Sequence, residues 1–216
     1  MTPRRAAIAA LLCALWPAGR ARAQALPGSI EIGGGGGRFY GGAFAKGSNE
    51  EFEHRVEADD DVLAGFWLGA QLTPRIGIEM SVRKSQEDIV NPAPGVFPRE
   101  PTAATLELTT VETGILFSFP FGQFAPYLGL DGGISNININ VPDRAVRDVN
   151  RFGISAAAGA KFYAARWVGF RVEGRARATY LGRRSNGQDR GWTDGGRWFR
   201  NSEIFGGVFF AFGGRS

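Results

Sequence analysis

The sequence has 216 residues, with 32 glycines, 17 phenylalanines, one cysteine and a formal net charge of +4 at pH 7. Residues 1–23 have the features of a secretory signal peptide: a basic start, an apolar run over 6–16 and the cleavage pattern Ala21-Arg22-Ala23. Because four of the 25 basic residues lie in this leader, the mature chain from Gln24 has 21 bases and 21 acids. Its charge gives no reason to expect nucleic-acid binding. The loss of Cys13 with the leader excludes disulfides and thiol chemistry.

The first two candidate strands follow the leader. Residues 29–45 contain the glycine run 33–37, which weakens strand propensity, so a linker before a strand beginning at Arg38 stays an alternative. Residues 46–60 are polar and acidic and are predicted to form a loop. In 62–73 every second residue is apolar, which is typical of a strand with one apolar face.

The third and fourth strands are separated by a proline-rich segment. A tight turn at 73–75 leads into a strand over 76–83, and residues 84–101, with four prolines, are predicted to form a loop. The strand over 102–119 changes its alternation, because Leu106 and Leu108 are out of phase with the apolar residues after Thr110. This change predicts either a β-bulge near Thr109-Thr110 or an excursion beyond the apolar zone.

The second half of the chain repeats this pattern. A turn at 120–123, a strand over 124–139 and a polar loop over 140–150 precede a hairpin over 152–180 that turns at Ala164-Ala165-Arg166. A loop over 181–198 and a strand over 199–212 complete eight strands. Short turns alternate with long loops, as in bacterial outer-membrane barrels, and the strands are long enough to cross a bilayer. We therefore predict an all-β fold, one eight-stranded antiparallel up-and-down transmembrane β-barrel over residues 24–216.

If the apolar face of each strand contacts lipid, five acids and five bases face the lumen. Charges enclosed in a narrow lumen must pair with one another or with trapped water, and eight strands leave an interior just wide enough for side chains. The pattern thus predicts a plugged lumen, and a soluble lipocalin-like barrel with water-facing charges is the alternative. The predicted lumen charge network is Glu79, Arg83, Glu112, Asp131, Lys161, Arg171, Glu173, Arg175, Arg177 and Glu203.

Aromatic residues group near the predicted strand ends, which is typical of the two interfaces of a bilayer. The group at the tight turns is Phe119, Phe121, Phe124, Phe162, Tyr163, Trp167 and Phe212. The group at the long loops is Tyr180, Trp192, Trp198 and Phe199.

The segments GFWLGAQLTPRIGIEMSVRKS, FAPYLGLDGGIS and GISAAAGAKFYAARWVGFRVEGRARATYL resemble the OmpA-like family of eight-stranded outer-membrane β-barrel domains. The similar motifs are Pro126-Tyr127-Leu128-Gly129 and the turn Leu72-Thr73-Pro74-Arg75, although Asp131 stands where a further glycine is usual. The resemblance implies periplasmic chaperones and insertion by the outer-membrane assembly machinery, which reads a C-terminal strand ending in Phe. Val208, Phe210 and Phe212 would supply that signal, although the tail 213–216 departs from the usual ending.

The sequence contains no convincing catalytic or metal site, so we expect no enzyme activity and no cofactor. The only histidine, His54, lies in an acidic run whose nearest serine is Ser48, without the arrangement of a nucleophile and its base. The adjacent acids at 59–61 lack the spacing of an EF-hand loop. One histidine without mature cysteines cannot form a zinc set.

The function expected from these observations is structural or interaction-based. The protein would be a monomer in the bacterial outer membrane, in contact with the lipid bilayer and lipopolysaccharide, with long loops available for surface contacts. The alternatives are a narrow channel for ions or small solutes, and an exported soluble barrel that binds a ligand.

Overall fold

The chain folds into antiparallel β-strands. The computed structural model describes residues 26–41, 43–45, 56–58, 61–90, 101–140, 147–180 and 198–214, and none of these forms a helix long and apolar enough to cross a membrane. The strands of the described residues are β1 Ser29–Tyr40, β2 Ala43–Ala45, β3 Val56–Ala58, β4 Asp61–Gln71, β5 Ile76–Val90, β6 Pro101–Ser118, β7 Phe124–Asn140, β8 Arg147–Ala165, β9 Val168–Tyr180 and β10 Trp198–Gly213.

The eight long strands of the described chain close into a barrel. Each pairs with the next long strand in the sequence, and β10 returns to pair with β1 from Ser29↔Gly213 to Tyr40↔Ser202. The short strands β2 and β3 pair with each other. Strand β3 also pairs with the end of β5, at Glu57↔Val90 and Ala58↔Ile89. Because closure pairs the backbone groups of every long strand, the sheet is suited to a lipid environment. The predicted eight-stranded up-and-down barrel is confirmed.

Short turns and long connections lie at opposite ends of the barrel, which we call the short-turn end and the long-loop end. The short connections are residues 72–75, 119–123 and 166–167, and the long ones cover 41–60, 91–100, 141–146 and 181–197. Local chemistry fixes two of the turns. The Thr73 hydroxyl accepts hydrogen bonds from the backbone N–H groups of Arg75 and Ile76 at 3.2 and 3.0 Å. Gly122 has a φ of 64°, which glycine adopts without steric strain.

Several strands extend further toward the long-loop end than the sequence patterns predict. Strand β5 continues to Val90, so residues 84–90 are strand and not loop, and β8 already begins at Arg147. Strand β3 interrupts the predicted loop over 46–60. The loop predicted over 84–101 was too long. Three of the four prolines on which it was based lie in 91–100, and the fourth, Pro101, is the first residue of β6, a position that proline tolerates.

In β5 to β8 the apolar side chains change from the outward face to the inward face at one row of paired residues, and no bulge causes the change. The outward residues Val82, Val111, Ile134 and Phe152 pair across β5 to β8, and the next outward row toward the long-loop end is Lys84, Thr109, Asn136 and Asn150. Beyond this row the apolar side chains face inward, including Leu106, Leu108 and Ile137. The pairing of Thr109 and Thr110 is continuous on both sides, so the prediction of a β-bulge there is wrong. The change in alternation arises because β6 extends beyond the apolar zone. A strand that passes from lipid into water exchanges its apolar face in this way.

The glycine run 33–37 lies inside β1 and is not a linker. Gly33 faces the lumen beside the indole of Trp67, where a Cβ atom would lie 2.5 Å from Cε2 of that ring. Gly207 on β10 faces the same indole, and a Cβ there would lie 2.9 Å from its Cη2. Trp67 is 2% exposed. These two glycines therefore make room in the lumen for a large aromatic side chain.

Substitution of Gly33 by alanine is expected to destabilise the barrel by about 1–3 kcal/mol, because the new methyl group displaces the enclosed Trp67 ring. The matched control is Gly34→Ala in the same run, where the nearest atom to a new Cβ is 3.5 Å away, and its effect should stay within about 0.5 kcal/mol. The measurement is the urea midpoint for unfolding of the barrel from phospholipid vesicles. Equal shifts for the two variants would contradict this account of the glycine run.

Candidate functional site

The interior of the barrel is polar in the zone where its outer surface is apolar. On β9, Arg171, Glu173, Arg175 and Arg177 all face inward, because alternate residues of a strand share a face. The structure places the ten charged residues of the predicted network in this interior, each with an exposed fraction of 7% or less. The inward charges come from β5, β6, β7, β8, β9 and β10, so only the closed barrel brings them together.

Arg171 connects three strands at the centre of the network. Its Nη1 and Nη2 donate to both carboxylate oxygens of Glu79 at 2.6 and 2.9 Å, and its Nε donates to the Tyr127 hydroxyl at 2.6 Å. It also pairs with Glu173. The guanidinium carbon lies 4.8 Å from the centre of the Trp67 ring and 4.9 Å from that of Tyr127. Bidentate carboxylate pairing and contact with aromatic faces are the interactions that favour arginine over lysine in a dry site.

Glu173 accepts hydrogen bonds from several sides of the lumen. Arg83 Nη2 and the Tyr127 hydroxyl each donate to it at 2.5 Å, and Arg175 Nε donates at 3.0 Å. With Arg171, these donors use both oxygens of the carboxylate. A buried carboxylate is tolerated when charged partners and hydrogen bonds satisfy it in this way.

A second group of pairs lies closer to the long-loop end. Arg177 donates from Nε and Nη2 to the two oxygens of Glu112 at 2.9 and 2.8 Å, and it also pairs with Glu203. Arg83 Nη1 donates to Glu203 at 2.9 Å, and Arg175 Nη1 donates to Glu112 at 2.7 Å. Because Arg83 and Arg175 also contact Glu173, the two groups form one continuous network.

Asp131 has the weakest partner of the ten predicted residues. Its Oδ2 lies 3.0 Å from Nη1 of Arg175, yet that oxygen makes no hydrogen bond in the structure. Nη2 of Arg175 also lacks a hydrogen-bond partner. The contact is thus an ion pair without the directed geometry of the Arg171–Glu79 pair.

Glu31 on β1 is a further interior charge that the sequence analysis missed. It is 2% exposed, pairs with Lys161 and accepts a hydrogen bond from the Tyr163 hydroxyl at 2.7 Å. The glycine run made the phase of β1 ambiguous, although the outward-facing Ile30 and Ile32 on either side carried the signal. Among the described side chains the interior therefore holds six buried acids and five buried bases.

Apolar and aromatic side chains close the lumen on both sides of the charges. At the short-turn end, Tyr163 and Phe209 meet edge to face with ring centroids 5.1 Å apart. At the long-loop end, buried inward-facing residues are Phe39, Leu63, Leu106, Leu108, Ile137 and Phe199. Tyr163 and Phe199, which the sequence analysis assigned to the interface belts, are therefore inside the barrel. That assignment was wrong because nearness to a strand end does not fix the face of the strand.

Six of the predicted interface aromatics lie at the two ends of the strands. Phe119, Phe124, Phe162 and Trp167 face outward at the short-turn end, and Tyr180 packs against Trp198 at the long-loop end with ring centroids 5.2 Å apart. The C-terminal residues Val208, Phe210 and Phe212 also face outward on β10, and Phe210 stacks on Trp167 at 6.1 Å. Trp192 lies outside the described residues.

Every long strand of the described barrel contributes exposed aliphatic side chains to a continuous outer belt. One example from each strand, in chain order, is Ile32, Leu68, Ile78, Ile115, Leu130, Ile154, Val172 and Ile204. An apolar surface of this extent is unsuited to water. With charges inside and aliphatic groups outside, the barrel is the inverse of a soluble ligand-binding barrel, so that alternative is wrong.

The residues weighed for chemistry fall mostly outside the described part of the chain. His54, Ser48, Asp59 and Asp60 lie there. Within the described ranges, no group of three or more His, Cys, Asp or Glu side chains is placed to hold a metal ion.

Solved outer-membrane proteins share this architecture at low sequence identity. The Neisserial surface protein A has 11% identity and a TM-score of 0.57, with 86% of this chain and 99% of that one covered. For OprG from Pseudomonas aeruginosa the identity is 12% and the TM-score 0.57, over 88% and 98% of the two chains. For Ail of Yersinia pestis the identity is 11% and the TM-score 0.50, with 87% of this chain and 100% of that one covered.

The sequence comparisons identify the family. No curated protein sequence matches the chain. The model of the outer membrane protein beta-barrel domain matches residues 7–210. The closed sheet, the apolar outer belt and this match lead to one conclusion: the chain belongs to the outer membrane protein beta-barrel domain family and is a barrel of the bacterial outer membrane.

Proposed function

We propose that the protein is a closed, non-enzymatic barrel that stabilises the outer membrane or contacts other surfaces through its long-loop end. The observation that carries this proposal is the continuous ion-pair network across the lumen. The side chains of Arg171, Glu173 and Arg175 in this network are 0% exposed. Catalytic groups must reach a substrate, whereas these charges contact only one another and their neighbours in the barrel wall.

The tall wall formed by β5 to β8 supports a role at the cell surface. Beyond the row of Lys84, Thr109, Asn136 and Asn150 these strands continue with polar outward faces. Lys84 and Glu107 form an exposed ion pair across β5 and β6 at 3.3 Å, and Asn136 donates to Asn150 at 2.9 Å across β7 and β8. The described sheet therefore continues beyond the apolar zone into water.

Export and assembly complete the proposal. Residues 1–23 are removed as a signal peptide, and the barrel over 24–216 is received by periplasmic chaperones and the outer-membrane assembly machinery. The outward row of Val208, Phe210 and Phe212 supports recognition of the last strand. A monomeric state is supported by the charge network, which is satisfied largely within one chain.

In planar lipid bilayers the purified protein is expected to show no discrete ion-conducting steps, because charges and aromatic rings fill its lumen. Simultaneous substitution of Arg171 and Trp67 by alanine removes the two largest central side chains and is expected to create a conducting path. The control is Val172→Ala, which shortens an outward-facing neighbour on β9 and should leave the barrel closed. Regular conductance steps from the unaltered protein would favour the narrow channel in place of the closed barrel.

Glu79→Gln is expected to lower the free energy of unfolding by about 3–5 kcal/mol, because it removes the bidentate partner of a buried guanidinium. Asp131→Asn is the matched control and should have a much smaller effect, since Asp131 makes one poorly directed ion pair and the interior holds more acids than bases. Both values are obtained from urea titrations in vesicles, with the heat-dependent shift on SDS gels as the measure of folding. A larger loss for Asp131→Asn would contradict the central role assigned to Arg171.

A further inference from the structure

A groove in the lipid-facing surface lies outside the lumen network. It runs across β7 to β10 and has a volume of about 680 Å³, within the roughly 300–1,000 Å³ typical of small-molecule sites. Its floor consists of small residues, Gly132, Ala156, Ala176 and Ala178, and its edges include Leu130 and Arg200. Its large side chains are Leu130 and Ile154, which lies between Gly132 and Ala178 in the sheet, so the groove is a local depression in the apolar belt.

Arg200 lies at the level of the lipid headgroups. It faces outward on β10, opposite Ala178, and is two residues from Trp198 on the same face. The Tyr180–Trp198 pair marks the interface at the long-loop end, so the groove begins at the headgroup region and continues into the apolar zone. Because the long loops of these barrels are extracellular, this is the outer leaflet.

No acidic side chain of the described residues pairs with Arg200. Lys84, an outward-facing base beyond the apolar zone, does pair, with Glu107 on the neighbouring strand. The guanidinium of Arg200 therefore stands at the open end of an apolar groove without a protein counter-charge among the described residues. A planar guanidinium is suited to bidentate contacts with phosphate.

We propose that Arg200 and this groove bind the phosphorylated glycolipid of the outer leaflet, the lipid A part of lipopolysaccharide. A lipid A phosphate contacts the guanidinium, and one acyl chain lies along the floor formed by Ala156, Ala176 and Ala178. Since water is absent at this depth, an unfilled groove would lose dispersion contacts that a flexible chain can make. A lipid that combines an anionic phosphate with saturated chains matches both halves of the site.

A second copy of the barrel fits the groove less well. Two barrels in one membrane share the same orientation, and a two-fold contact through this face would repeat Arg200 on both sides of the axis at one depth. Two like charges would then lie near the contact without an acid opposite them among the described residues. Charge complementarity therefore favours the lipid.

The test measures lipid binding to purified protein in detergent micelles by native mass spectrometry, with lipid A as the probe. Arg200→Gln is expected to bind lipid A about tenfold more weakly, because a charge-assisted contact is lost. The double variant Ala156→Leu/Ala176→Leu fills the groove and should weaken binding to a similar extent. The matched controls are Arg38→Gln and Ala64→Leu, which alter outward positions on β1 and β4 outside the groove and should leave binding unchanged.

Lipid A without its phosphates tests the same contact with no change to the protein, and it should bind the unaltered barrel about as weakly as lipid A binds Arg200→Gln. Equal binding of intact lipid A to the unaltered protein and to Arg200→Gln would overturn the proposal. So would equal affinity for phosphatidylglycerol, or a dimer that dissociates when the groove is filled. The site lies outside the lumen, so this result is independent of whether the barrel conducts ions.

Discussion

The structure depends on one constraint: inward charges in a lumen without bulk water must find their partners inside the barrel. Strand β9 carries four such charges on one face, and a single strand or hairpin cannot satisfy them. One partner is Glu203 on the neighbouring strand β10. The others, Glu79 on β5 and Glu112 on β6, lie opposite β9 only when the sheet closes. Closure and charge neutralisation are therefore coupled. Space for the large side chains comes from residues without them, since Gly33 and Gly207 accommodate the indole against which Arg171 packs.

The environment of each strand segment decides which of its faces is apolar. In the bilayer zone aliphatic side chains face out and charges face in, and beyond the row of Lys84, Thr109, Asn136 and Asn150 the arrangement is reversed. The backbone of β6 passes this boundary with unbroken pairing. The same period of two thus encodes a membrane strand and a water-exposed strand in one continuous element. The apolar residues Leu106 and Leu108 close the lumen above the charges because of this reversal.

Alternation in the sequence was sufficient to predict the closed barrel, the sidedness of its connections and the inward direction of ten charges. Glu31 was missed because the glycine run, which carries no side-chain signal, made the phase of β1 ambiguous, although Ile30 and Ile32 on either side indicated it. Tyr163 was assigned to the interface belt from its position near a strand end, which gives depth but not face. Its alternation with Phe162 and the face it shares with Lys161 indicate the lumen. The pairing partners were also out of reach, because they depend on the register between strands distant in the sequence. The groove beside Arg200 could not be predicted for the same reason, because its floor comes from β7, β8 and β9 and forms only when the sheet is assembled.

The charges in the lumen specify the fold more than they stabilise it. A buried ion pair contributes little net free energy compared with well-packed apolar side chains of similar volume. A slip of β9 by one residue, however, would exchange its faces and turn Arg171, Arg175 and Arg177 toward lipid, which costs roughly 2–4 kcal/mol for each arginine near the middle of the bilayer. A slip by two residues would keep the faces but separate Arg171 from Glu79 and Arg177 from Glu112. An apolar interior would tolerate both errors, so the ion-pair network selects one register from many that the alternation alone would allow.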